Sequence, residues 1–487
     1  MPIIKRESSL GVGFYITTPI YYVNDRPHIG HAYTTIVADT LARSHAARGE
    51  AVVFLAGTDE NSQKTVDAAK KTGEEIHSYT DRLAEVWRSA WTKLGIVNTD
   101  FIRTTEARHV EVVREIWSRM EAAGDIYKGK YEGLYCGGHE AFMREGELVD
   151  GLCPDHKTKP EFVSEENYFF RLSKYEKPLL DFYKEHEDFV APAHRFNEVK
   201  SFVAHGLDDI SFSREKKGWG IPVPNDPDQI IYVWADALVN YISAVGIDAW
   251  KAHPADIHAV GKDILRFHAV IWPAMLMSAK LPLPAQVIAN GFFTINGVKI
   301  SKSLGNAVDP LALADKYGND ALRYFLLREI SYGDDGDFSE EKFKERYNAD
   351  LANGLGNFAA RVLTLGESFE DVDDGISPNL QITEKINQIK GEVDKRFKKF
   401  KLNEALSVIW ELVSFGDAYV NDKAPWAIKD EKEKRQIVLD LIVVLDNVAA
   451  LLVPFLPETT EKITKSIHWQ GKKLTIKKGE VLFPRLP

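Results

Sequence analysis

The stretch Phe14-Tyr15-Ile16-Thr17-Thr18-Pro19-Ile20-Tyr21-Tyr22-Val23-Asn24-Asp25-Arg26-Pro27-His28-Ile29-Gly30-His31 decides the fold. Its first five residues are aromatic or β-branched and read as a strand. Residues 19–25 read as a loop from their Pro, Asn and Asp content. Across residues 31–48 the apolar Tyr33, Ile36, Val37 and Leu41 recur at helical spacing, and Gly49 supplies a C-terminal stop. Residues 51–56 form a second apolar strand, ending in Gly57-Thr58-Asp59-Glu60. Strand, helix and strand make a βαβ unit, the element of a parallel sheet with right-handed crossovers. Ligands of such sheets bind beyond the carboxyl ends of the strands. The loop 19–31 and the tip 57–60 are therefore expected to face one crevice.

The same rhythm returns later in the chain. Residues 230–234 read as a strand leading into a helix over 236–245, and His258-Ala259-Val260 as a strand followed by Gly261-Lys262-Asp263 and a helix over 264–279. Val287-Ile288-Ala289-Asn290 is a further buried strand, followed by the hairpin signal Asn296-Gly297 and a polar loop over 299–306. Between the two halves, residues 129–225 lose the α/β pattern for short strands and Gly-rich turns, as an insertion would. Beyond Asp337 helical patterns dominate, as in Ala405, Leu406, Ile409, Trp410, Leu412 and Val413, and predict a helix bundle. An acidic Gly/Pro linker at 366–378 interrupts it. The expected architecture is an α/β, Rossmann-like parallel-sheet domain over 1–128 and 226–336, interrupted by a connective insertion over 129–225 and followed by a helical domain over 337–487.

Composition bounds the function classes. At roughly 150 residues per domain, 487 residues suggest about three domains, and 44% hydrophobic with 27% charged residues is an ordinary globular mix. The apolar stretch 438–457 carries Asp440, Asp446 and Asn447 and reads as a buried helix, not a membrane span. Residues 1–10 contain Lys5, Arg6 and Glu7 without an apolar run, so no signal peptide is expected. Cys136 and Cys153 are the only cysteines, which excludes a disulfide scaffold and points to a reducing, cytoplasmic setting. A net charge of −11 argues against a nucleic-acid coat but not against a local basic surface. One such surface is the end of the chain, with Lys462, Lys465, Lys472, Lys473, Lys477, Lys478 and Arg485 against Glu480.

Three motifs carry chemistry. Pro27-His28-Ile29-Gly30-His31 sits where a strand's loop meets its helix, and a helix N-terminus attracts anions. His28 and His31, spaced i, i+3, would share a helical face and donate to phosphate oxygens, with Gly30 admitting a ligand to the backbone. The plain alternative is a helix start with incidental histidines. Lys299-Ile300-Ser301-Lys302-Ser303 is a basic, hydroxyl-bearing loop suited to clamp a polyphosphate, although such a stretch alone is more often a solvated loop. Cys136-Gly-Gly-His139 and Cys153-Pro-Asp-His156 form two x₂ pairs with the ligand types of a closed S₂N₂ zinc site.

The pair of loops resembles the two signatures of class I aminoacyl-tRNA synthetases. Their surroundings are similar specifically to methionyl-tRNA synthetases: residues 17–24, Gly57-Thr58-Asp59-Glu60, Tyr232-Val233-Trp234-Ala235-Asp236-Ala237-Leu238, Gly261-Lys262-Asp263-Ile264, Phe267-His268 and Asn421-Asp422-Lys423-Ala424-Pro425-Trp426. The resemblance implies a monomeric ligase that activates L-methionine with ATP and Mg²⁺, releases pyrophosphate and esterifies tRNA(Met). It implies catalytic roles for His28, His31, Lys299 and Lys302, and ATP contacts at these residues and at Gly30, Gly261, Asp263 and Ser301. By the same resemblance Asp59 holds the amino group, and Ile20, Tyr22, Trp234, Ala237, Leu238, Tyr241, Ile264, His268 and Trp272 line the thioether pocket. Sulfur contacts aromatic rings favourably, by ~0.3–1.5 kcal/mol, though plain core packing would also explain these side chains. Asn357, Arg361 and Trp426 would read the CAU anticodon. The knuckle departs from the family pattern, since His139 stands where single-knuckle members usually carry Cys. A small-molecule nucleotidyltransferase would share the histidine loop but lack the helical domain. A catalytically idle tRNA-binding paralogue would not need the intact His28, His31, Lys299, Lys302 and Asp59.

Overall fold

Aromatic and β-branched side chains at the start of the quoted stretch form β1, Phe14–Thr17, with all four residues buried. In this computed structural model, residues 13–137, 141–143, 145–154, 157–216, 218–299, 308–367, 377–470, 473–477 and 479–487 are described. The main sheet comprises β1, β2 (Tyr21–Tyr22), β3 (Val52–Asp59), β4 (Asp100–Arg103), β5 (Val190–Ala191), β6 (Ile257–Gly261) and β7 (Gln286–Asn290). Its order is β4-β3-β1-β6-β7-β5, with β2 following β1 along the same edge of β3. β1 runs parallel to both β3 and β6, pairing Ile16 with Phe54 and Ile257. The chain builds outward from β1 to β3 and β4, then resumes on the other side with β6 and β7. The topological switch therefore lies between β1 and β6, where such sheets bind ligands.

The chain forms two compact units. One comprises Met1–Arg26, Val52–Trp91 and Val97–Ala289; the other comprises Pro27–Ala51, Thr92–Ile96 and Asn290–Pro487. The first holds the sheet and a core that includes Tyr15, Leu55, Ile102, Trp117, Trp250 and Trp272. Burying one large apolar side chain contributes about 1.5–3 kcal/mol.

The second unit contains α1 (Ile29–Ala47), α2 (Asn319–Glu329), α3 (Asn357–Gly366), α4 (Leu380–Phe397), α5 (Leu402–Lys423), α6 (Glu431–Leu452) and α7 (Pro457–Ser466). α1 ends as expected, with Gly49 in the left-handed region at φ 84°. Ile382, Ile386, Ile389 and Val393 make the buried stripe of α4. α6 opens on charged residues 431–435 and buries an apolar stripe from Ile437 to Leu452 that includes Asp440, whose carboxylate accepts from the Asn379 N–H (2.9 Å), Asn379 Nδ2 (2.6 Å) and Tyr419 Oη (2.8 Å). No helix among the described residues is long and apolar enough to cross a membrane.

Several local expectations need correction. The strand expected at 230–234 is Asp226–Ile231, and it pairs antiparallel with Ser213–Glu215 and Pro222–Val223, not with the main sheet. A short apolar run does not say which sheet it joins. The helix expected over 236–245 is two, Val233–Ala237 and Asn240–Val245, and the one over 264–279 contains a π-wound turn at Phe267–Ile271. The loop after β1 contains β2, which pairs Tyr22 with Asp59. The insertion holds long strands, Ile126–Cys136 and Glu161–Phe170, and it returns β5 to the edge of the main sheet. The segments 300–307 and 368–376 lie outside the described residues.

Candidate active site

Two imidazoles cap α1. His28 is the N-cap, extended at φ −118° and ψ 173°, and its Nδ1 accepts from the Gly30 N–H at 3.1 Å. His31 Nδ1 accepts in return from the His28 N–H at 3.2 Å. The pair performs the reciprocal exchange that Ser and Glu make in a capping box. The rings stack with centroids 3.6 Å apart. His28 thus precedes the helix, correcting the expectation that both histidines share a helical face; reciprocal capping is what brings them together. Because both Nδ1 atoms accept, each ring in its neutral form carries its proton on Nε2. Gly30 fits closely here, since a Cβ would sit 3.0 Å from His28 Cε1 and would press on that ring.

The basic loop leaves a hairpin of Phe293–Ile295 and Val298–Lys299, turned at Asn296 and Gly297 with φ of 51° and 75°, as Asn-Gly predicts. Asp337 anchors its base, accepting from Thr294 Oγ1 (2.6 Å) and the Gly297 N–H (2.7 Å), and these bonds hold its carboxyl below the usual range. The backbone of Lys299 closes the second strand, while Ser301 and Lys302 lie outside the described residues.

The first unit gathers a cluster of aromatic and apolar side chains, and an acid stands at the end of β3. Asp59 ends β3, is buried, and accepts from the Asn61 N–H at 3.3 Å. Its neighbour Glu60 receives both Arg103 Nε (2.7 Å) and Nη2 (3.0 Å). Asn61 Nδ2 donates to Asp236 Oδ2 at 2.8 Å, and Asp236 Oδ1 lies 2.6 Å from His109 Nε2. The β3 tip is thereby tied to the helix that carries Trp234 and Ala237, with Leu238 as its C-cap. Motif reading missed Asn61, His109 and Arg103. Asp236 stood within a quoted motif without a role, and its burial would have been the signal.

The side chains of this cluster are fixed by one another. Tyr241 Oη donates to His268 Nε2 (2.6 Å), and His268 Nδ1 donates to the Ile264 carbonyl (2.9 Å). Trp272 Nε1 donates to His258 Nε2 (3.3 Å), leaving His258 Nδ1 to donate to Thr17 Oγ1 (2.7 Å) at the switch between β1 and β6. Trp234 stacks on Phe267 at 3.9 Å, and Ile20 lies against Gly57. Tyr241, His268 and Trp272 are almost wholly buried, and Ile20, Tyr22, Trp234 and Ile264 are partly exposed. Gly261 ends β6, with the Asp263 carboxylate folded back over it.

Burial pushes His268 down to about 4 and His258 well below its ordinary value, so both are neutral near pH 7. The sign follows from proton binding. Between about 4 and the ordinary value 6.5 the unfolded chain takes up the proton that folded His268 refuses, so stability rises with pH in that window. Lowering the pH from 6.5 towards 4 is expected to remove about 3 kcal/mol through His268 alone. Denaturant titrations across this range should show a shallower acid limb in His268→Asn, and an unchanged limb would contradict the burial argument.

Cys136 and Cys153 are both buried and not joined in a disulfide. A backbone turn encloses Cys153, whose N–H donates to Thr158 O (2.9 Å) and whose carbonyl accepts from the Lys157 N–H (2.9 Å). His139 and His156 lie outside the described residues. Buried thiols on a tight turn fit a structural metal's donor set.

In the helical region, Asn357 opens α3 on an exposed face. Arg361, one turn on, donates from Nη1 to Asp417 Oδ1 and from Nη2 to Asn421 Oδ1, both at 2.6 Å. Its guanidinium lies 6.0 Å from the ring of Trp426. Trp426 is 61% exposed and so is not a core residue.

Residues 14–160 and 156–363 match the family model described as tRNA synthetases class I (M), and residues 379–485 match the anticodon-binding domain of tRNA ligase. The chain is 44% identical to a methionine–tRNA ligase of Thermotoga maritima, over 94% of this chain and 76% of that protein. It is 41% identical to that of Streptomyces coelicolor, over 97% and 96% of the two chains. Among solved structures it is similar to Mycobacterium tuberculosis methionyl-tRNA synthetase in complex with methionyl-adenylate, with a TM-score of 0.92 and 39% identity over 97% of this chain and 99% of that one.

Proposed function

We propose a division of labour for a chain that belongs to the methionyl-tRNA synthetase family of class I tRNA synthetases. The chain is a methionine–tRNA ligase, using ATP to make methionyl-adenylate and passing methionine to tRNA(Met). In the first step a methionine carboxylate oxygen attacks the α-phosphorus, the bond to the β-phosphate oxygen breaks, and pyrophosphate leaves. In the second a terminal tRNA hydroxyl attacks the activated carbonyl and AMP leaves. Such phosphoryl chemistry asks for positioning and charge stabilisation more than covalent help.

The histidine pair carries the assignment: two stacked rings, each with Nδ1 committed to a backbone N–H, present Nε2 donors at a helix N-terminus. His28 and His31 bind phosphate oxygens, Lys299 and Lys302 neutralise charge developing on the polyphosphate, and Gly30, Gly261, Asp263 and Ser301 contact the nucleotide. Mg²⁺ enters with ATP and spreads phosphate charge. Asp59 pairs with the methionine ammonium. Ile20, Tyr22, Trp234, Ala237, Leu238, Tyr241, Ile264, His268 and Trp272 form or support the thioether wall. The neutral His268 suits an uncharged thioether better than an imidazolium would.

Asn357, Arg361 and Trp426 read anticodon bases by stacking and hydrogen bonding. Trp426→Ala should remove a contact of about 1–3 kcal/mol. The measurement is a threefold comparison of melting temperature, tRNA-free pyrophosphate exchange and aminoacylation. Only aminoacylation should fall, by roughly 5- to 150-fold in kcat/KM for tRNA; intact aminoacylation would overturn this reading.

Cys136, His139, Cys153 and His156 hold one structural zinc, whose bound form contributes folding energy to the insertion. Elemental analysis of protein purified without added metal should find about one zinc per chain, and Cys153→Ser should lose it together with several degrees of melting temperature. Metal-free protein with an unchanged melt would contradict the site.

A further inference from the structure

Arg323 on α2 is almost completely buried, and its guanidinium is shared between two elements. On one side Nη1 lies 2.7 Å from Asp39 Oδ2 on α1, an ion pair off the N–H axis, and Nη2 donates to Thr40 Oγ1 at 3.3 Å. On the other side Nε donates to the Phe455 carbonyl (2.8 Å) and Nη2 to that of Pro454 (2.9 Å), in the turn between α6 and α7. The same Asp39 oxygen accepts from Arg43 Nε at 2.7 Å, and Arg43 Nη2 donates to Gly95 O at 2.6 Å. α2 holds the start of α7 as well, since Asp320 Oδ2 accepts from the Thr459 N–H at 2.6 Å.

Apolar side chains of similar volume generally pack as stably as a buried ion cluster. What the cluster supplies is register, because a planar fork holds only one arrangement of its partners. That register joins two functional ends. α6 starts at the Asp430 cap, close after Trp426, and its 22 residues span about 33 Å to the turn that Arg323 grips. On α1, His31 lies eight residues from Asp39, about 12 Å along the helix.

We propose that Arg323 is a positioning residue that couples the anticodon-reading end of the bundle to the histidine pair, so that tRNA held at Trp426 favours the placement of α1 needed for transfer. The inference rests on the roles given above to Trp426 and to His28 and His31. Lysine at 323 retains the charge opposite Asp39 but cannot also hold both carbonyls.

The test is a double-mutant cycle on aminoacylation with Arg323→Lys and Trp426→Ala, beside tRNA-free pyrophosphate exchange and thermal melts. Arg323→Lys is expected to keep exchange within about twofold while kcat for aminoacylation falls about tenfold at unchanged KM for tRNA. Trp426→Ala should lower kcat as well as raise KM for tRNA, and, read on kcat at saturating tRNA, the double variant should lose no more than the worse single, whereas independent sites would add. Full additivity, or a parallel fall of exchange, aminoacylation and melting temperature, overturns the coupling. Intact aminoacylation in Trp426→Ala overturns the anticodon assignment and the coupling with it, and so differs from failure of the coupling alone. Should Arg323→Lys not fold, Thr40→Val removes the hydroxyl that accepts from Arg323 and donates to Ile36 O within α1, keeps the Asp39 ion pair, and goes through the same cycle, with additivity again the overturning result.

Discussion

His31→Ala is expected to lower kcat for methionyl-adenylate formation by about 10²–10³-fold, the usual effect of losing one donor to a developing oxyanion. KM for methionine should change far less, because the contact strengthens as charge develops on the phosphates. His31 also caps its own helix, since its Nδ1 accepts from the His28 N–H, and alanine therefore removes half of the reciprocal cap. Losing a helix cap costs about 0.5–2 kcal/mol. His31→Gln separates the two roles. Glutamine at the third helical position is a capping-box residue, so it should restore much of the melting temperature without restoring the rate. A Gln variant that recovered wild-type kcat would reduce His31 to a capping residue.

Asp59→Asn is expected to raise KM for methionine and lower kcat/KM by about 30- to 5,000-fold, since breaking one side of a buried charge pair costs roughly 2–5 kcal/mol. The substitution is nearly isosteric and keeps an oxygen for the Asn61 N–H, so the β3 tip should stay folded. The tip is further secured by Glu60 with Arg103 and by Asn61 with Asp236. Exchange kinetics as a function of methionine, with the melt as control, check the prediction. A near-normal KM in a folded variant would move the ammonium site elsewhere.

The parts of the fold legible in the sequence are those with long periodicity or strong local chemistry. β1, α1 and β3 follow from an aromatic and β-branched run, a helical stripe and a glycine stop, and the Asn296-Gly297 hairpin from its turn residues. What escaped is non-local. β2 and β5 have two residues each, too few for any period, and exist because partners distant in sequence pair with them. The strand read at 230–234 is Asp226–Ile231 and joins a different sheet, which depends on tertiary packing.

The site divides in the same way. His28, His31 and Asp59 stand in motifs and could be named in advance. The capping geometry that sets the tautomers, and the Asn61–Asp236–His109 chain behind Asp59, needed coordinates. Arg323 and Asp39 sit in ordinary helical sequence, and only their burial distinguishes them.

The central claim is that Asp59 and the aromatic cluster select methionine and the histidine pair drives its adenylation. Pyrophosphate exchange into ATP, without tRNA, across a panel of amino acids tests it most directly. Exchange should depend on methionine, stay near background with leucine, isoleucine, valine and cysteine, and collapse in both Asp59→Asn and His31→Ala. Equal exchange with another amino acid, or wild-type exchange in both variants, would contradict the account.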